Sequence, residues 1–135
     1  MTTRITRVNP PELHQPPGYH HITVVEAGRT AHLAGQCPVD LSQRVVGAGD
    51  LNAQIDQVVA NSMTALGAVD AGPEDVVRSV IYVVTEDVDV LGATWDRLRA
   101  SALGPALTTA STLLGVAQLG FPGQLVEVDL TASLS

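Results

Sequence analysis

Two carboxylates stand at alternate positions near the end of the chain, Glu127 and Asp129 in Leu-Val-Glu-Val-Asp at 125–129. In an extended segment Val126 and Val128 face one side and the two acids face the other. A carboxylate beside an apolar wall can hold a water or move a proton, the work of a general acid or base. Four imidazoles, His14, His20, His21 and His32, are the next candidates. Adjacent His20 and His21 point to opposite faces if extended, and no Cys/His spacing resembles a zinc site, so no metal is expected. Cys37 is the one cysteine; no base stands beside it in sequence, and it reads as a buried, inert thiol.

The chain has no lysine, and its seven basic residues are all arginine. That excludes lysine-anchored Schiff-base chemistry, pyridoxal phosphate included, and a Walker-type phosphate loop. No cofactor is expected. Fourteen acids against seven bases give a formal charge of −7, and Arg4, Arg7, Arg29, Arg44, Arg78, Arg97 and Arg99 are scattered. A nucleic-acid partner needs a clustered basic face and is disfavoured. No apolar run reaches the length of a membrane span, and the first residues lack the apolar core of a signal peptide. With one cysteine no intrachain disulfide forms, which fits a cytoplasmic location.

These groups need elements to hold them. At 135 residues, 45% hydrophobic and 16% charged, the chain is expected to form one domain over 1–135 with a real core. Residues 4–8 read as a first strand, followed by a proline-rich loop to Gly18. Residues 21–26 and 30–36 read as a hairpin around Ala27-Gly28, and 44–46 as a short partner strand. The stripe Leu51, Ile55, Val58, Val59, Ser62, Leu66, Val69 predicts a helix over 50–71, capped by Asp50 and ended by Gly72-Pro73. Residues 76–85 are apolar on both faces, the mark of a strand covered on both sides. Leu91, Trp95, Leu98 and Ala102 predict a second helix over 87–102, with Arg97 and Arg99 on solvated surface. Two strands follow, separated by the Gly/Pro turn at 120–123. The order β-β-β, α, β, α, β-β predicts an α+β fold, a mixed sheet with both helices on one face.

Several motifs, in order, resemble the Rid family of YjgF-type imine and enamine deaminases, also labelled L-PSP endoribonucleases. Gly18-Tyr19 is similar to the family's Gly-Pro-Tyr. Residues 33–40, Leu-Ala-Gly-Gln-Cys-Pro-Val-Asp, are similar to Leu-Ser-Gly-Gln-Ile-Pro-Leu-Asp. The strand from Asp75 and the closing Leu-Val-Glu-Val-Asp also match. The resemblance implies a chorismate-mutase-like fold and a homotrimer with a small-molecule cleft at each subunit interface. It implies that Tyr19 lines the cleft, that Gly35 lets backbone approach the ligand, and that Glu127 positions a hydrolytic water. His20 or His21 could line the cleft beside Tyr19. The family's substrate-gripping arginine is missing. Counting from Val116-Ala-Gln-Leu119 its position falls on Ser111; counting from Pro105-Ala106 it falls on Leu107. The first register needs fewer loop adjustments. Without a bidentate guanidinium, deamination of carboxylated imines such as 2-aminoacrylate is expected to be poor. The competing expectation is a non-catalytic module that binds a small metabolite.

Overall fold

A computed structural model describes residues 4–135; the amino terminus, the chain's one amine, lies outside the described residues. The strands are β1 (Ile5–Val8), β2 (Ile22–Val25), β3 (Thr30–His32), β4 (Val76–Val84), β5 (Ala110–Val116) and β6 (Val126–Ser133). The helices are α1 (Leu51–Gly67) and α2 (Val88–Ala100). Four strands form one sheet in the order β3-β6-β4-β5, with β4 and β5 parallel and the other pairs antiparallel. β1 and β2 form a separate antiparallel ribbon. Arg4 ties this ribbon to the main body, donating to Asp75 at 2.6 Å and to the Ser133 carbonyl at 2.6 Å.

Both helices start on an aspartate whose carboxylate accepts a backbone N–H, Asp50 from Ala53 and Asp87 from Asp89. Their apolar stripes cover one face of the sheet. Ile55, Val58 and Leu66 of α1 and Leu98 of α2 bury against Ile81, Val83, Val126, Val128 and Leu130. Strand alternation then sends Val80, Tyr82 and Val84 to the far face, where no helix covers them and they are only half-buried. Leu114 on the same side is exposed.

Three expectations are corrected. Residues 21–26 and 30–36 contain strands, but β2 pairs with β1 and β3 pairs with β6, so they form no hairpin. A tight hairpin turn wants positive φ, and neither Ala27 nor Gly28 takes it. The first helix also stops earlier than Gly72-Pro73. Asp70 adopts a left-handed φ of 56°, and the Ala71 N–H returns to the Leu66 carbonyl at 3.0 Å, closing the helix after Gly67. The short partner strand at 44–46 is reduced to a single bridge between Val39 and Val45.

Candidate functional site

Glu127 sits on β6, flanked by the fully buried Val126 and Val128, with its own side chain on the helix-free face. Its Oε1 accepts from the Cys37 thiol at 3.1 Å and from Gln124 Nε2 at 3.2 Å. Oε2 lies beside Gly35, where any Cβ would overlap it. Glycine is needed there for close approach, since its φ is ordinary. A bridge between Gln36 and Val128 sets this arrangement, bringing Cys37 alongside Glu127 on the same face. Asn61 of α1 holds the segment in place by donating to the carbonyls of Cys37 and Val39 at 2.9 and 3.0 Å. The Cys37 thiol is pushed up to about 11, first by burial, then by its hydrogen bond to Glu127 and that carboxylate's charge. The expectation of a buried thiol with no base beside it is corrected: Cys37 is half-buried and bonds Glu127, a partner 90 residues away that its sequence neighbours do not reveal.

Tyr19 and Ser111 meet elsewhere. They line a cavity of about 490 Å³ together with Pro17, Gly92, Trp95, Asp96 and Leu113. β5 forms one wall and α2 the other, so the cavity lies on the helix side of the sheet. Tyr19 stands edge-to-face against Trp95, with ring centroids 6.1 Å apart, and the Trp95 indole donates to the Pro17 carbonyl at 3.2 Å. The Tyr19 hydroxyl lies 3.0 Å from His14 Nε2, and His21 packs edge-on to His14. His20 instead bonds the Thr108 carbonyl, and neither His20 nor His21 is part of the cavity wall. Ser111 reaches the wall, but its hydroxyl lies 2.6 Å from that of buried Ser79 and also bonds the carbonyls of Thr109 and Leu107. Leu107 is fully buried in the core.

The expected site residues therefore fall into two groups on opposite faces of one sheet. Ser111 pairs with Ser79, which pairs with Leu130 on the helix side, whereas Glu127 pairs with Tyr82 on the other. They are also two strands apart, about 10 Å. Arg97 forms an exposed ion pair with Asp56 at 2.8 Å. Arg99 is exposed, as expected, and its guanidinium lies against Gly18, where a side chain would overlap it. Among the described residues no group of histidines, cysteines and acids is placed to hold a metal ion.

A mixed sheet with two helices on one face, an open opposite face and a glutamate at the second position of its last strand defines an α+β protein of the Rid type. The chain belongs to that family: the family model described as Endoribonuclease L-PSP matches residues 13–134. Among solved structures it is similar to YyfB of Yersinia pestis, a Rid-family protein of unknown function. That match has 34% identity over 98% of this chain and 100% of that one, with a TM-score of 0.87. It is also similar to Rv2704 of Mycobacterium tuberculosis, a member of the YjgF/YER057c/UK114 family, at 27% identity over 96% and 99% of the two chains, TM-score 0.62. Yeast Mmf1, at 18% identity over 97% and 99% with a TM-score of 0.67, shares the fold. No curated protein matches the chain. No helix among the described residues is long and apolar enough to cross a membrane.

Proposed function

We propose that this protein is a divergent Rid-family hydrolase, active as a homotrimer, whose small-molecule cleft forms between subunits. One observation carries the reading: Tyr19 with the cavity, and Glu127 with Gly35, occupy opposite faces of the same sheet. One copy cannot wrap both around a small ligand, whereas two copies can, if the cavity edge of one meets the open face of another. Glu127 then holds the attacking water through Oε2, with Oε1 fixed by Cys37 and Gln124. Tyr19 orients the substrate, Ser111 shapes the floor, and Gly35 admits backbone close to the reacting carbon. The substrate is an imine, enamine or related electrophile without a carboxylate at the usual place, because Ser111 supplies no charge. Loss of the charge-assisted clamp costs on the order of 2–5 kcal/mol, so 2-aminoacrylate is turned over poorly.

The test is hydrolysis of a panel of cyclic and acyclic imines, with Glu127→Gln as control. Turnover lost in Glu127→Gln with ligand affinity kept supports the proposal; no turnover of any imine by a well-folded trimer sinks it. The inward commitment of the Ser111 hydroxyl favours a second reading, a binding module without catalysis. That reading predicts affinity without turnover in both proteins. The nuclease label of the family finds little support in a chain of formal charge −7 whose Arg4 and Arg97 are paired with acids.

A further inference from the structure

We propose that the cavity beside β5 takes a small organic cation, an ammonium or protonated imine on an apolar frame, with Asp96 as counter-ion and Trp95 and Tyr19 as aromatic walls. This rests on the reading of that cavity as a ligand site and goes further by fixing the ligand's charge. Asp96 is the one acidic or basic side chain in the wall, and among the described residues it has no ion-pair partner. Of the arginines on its helix, Arg97 holds Asp56, and Arg99 is exposed with its guanidinium beside Gly18, outside the wall. Tyr19 and Trp95 stand at 87° to each other, forming two sides of a corner. A cation in such a corner gains from the aromatic faces and from the carboxylate together. A carboxylate ligand would meet Asp96 with no cation in the wall to offset it. Next to Tyr19 stand His14, whose Nε2 lies 3.0 Å from its hydroxyl, and His21, with ring centroids 5.9 Å apart; neither is in the wall. In a trimer completed as proposed above, Glu127 from a second copy would add a further negative charge to the same cleft.

Trp95 is the only tryptophan in the chain, so its fluorescence reports on this cavity. Three probes of one frame separate charge from shape: cyclopentylammonium, cyclopentanol and cyclopentanecarboxylate, titrated at pH 8 and low salt. The ammonium is expected to bind at least about fivefold more tightly than the carboxylate, from one cation–π contact and one exposed charge pair. Asp96→Asn is expected to remove most of that preference; Asp96 is exposed on α2, and its replacement leaves the core untouched. Tighter binding of the carboxylate, or a preference that survives Asp96→Asn, overturns the charge assignment and leaves the cleft standing. If none of the three moves Trp95 emission, the assignment is overturned and the cavity's role as a ligand site falls with it.

Discussion

Cys37 and Gln124 share one oxygen of Glu127, so the thiol lies in the field of that carboxylate. A thiolate there would lose solvation and put a second negative charge beside the first, which is why the thiol rises from its ordinary 9.0 to about 11. Iodoacetamide should therefore alkylate native Cys37 at pH 8 on the order of tenfold or more slowly than a free cysteine, with the rate climbing through pH 9–11. Glu127→Gln should speed the reaction at pH 8. A rate insensitive to that substitution would mean that access alone protects the thiol. The sign for stability follows: the folded state holds this proton more tightly than the unfolded chain. Its contribution is present below pH 9 and is lost as pH rises toward about 11. Gly35 gives a second prediction at this scale. Gly35→Ala drives a methyl into the Glu127 carboxylate, and overpacking of this kind costs about 1–3 kcal/mol. Urea unfolding should show that loss, and imine hydrolysis should fall further than stability does.

Helix ends carry energies of opposite sign in this chain. Asp87 caps α2 through Asp89 N–H at 2.9 Å, so Asp87→Ala should destabilise by about 1 kcal/mol. Asp70 pays for its left-handed φ of 56°, and Asp70→Gly should stabilise by up to about 1 kcal/mol. Paired chemical-denaturation curves would check both; equal effects of like sign would show that the caps do not act as described. The same termini show where sequence reading was strong and where it was not. The stripes on α1 and α2 and the β-branched run of β4 fixed those elements, because their periods reflect burial on a defined face. The end of α1 was misplaced because Gly72-Pro73 is the louder signal, while Asp70 does the closing. The β2–β3 pairing was misjudged because Ala27-Gly28 is a local turn cue, and β1 and β6 supply better partners from elsewhere in the chain.

In the whole molecule, the trimer proposed above would cover the helix-free sheet face that carries Val80, Tyr82, Val84 and Leu114. Light scattering should give a trimer, and Val80→Glu, which sets a new acid opposite Asp129, should release monomers. A wild-type chain that stays monomeric at micromolar concentration would refute this. Tyr19, Gly35, Ser111 and Glu127 were each nameable from short motifs, yet their division between two faces of the sheet was not, because it depends on which strand lies beside which. Asp96 carried no signal at all; on a helix it reads as one more solvated acid. Strand order has a further consequence, for the time course of folding. β6 comes last along the chain but lies inside the sheet between β3 and β4, and Thr30 must find Ser133 roughly a hundred residues away. Closing so large a loop comes before its reward, which places folding among the slower topologies, on the order of milliseconds to seconds. Until β6 arrives, β4 presents a long Val- and Ile-rich edge to any neighbouring chain. Refolding yield should then fall as protein concentration rises, and the chain's weakest moment is the wait for its final strand.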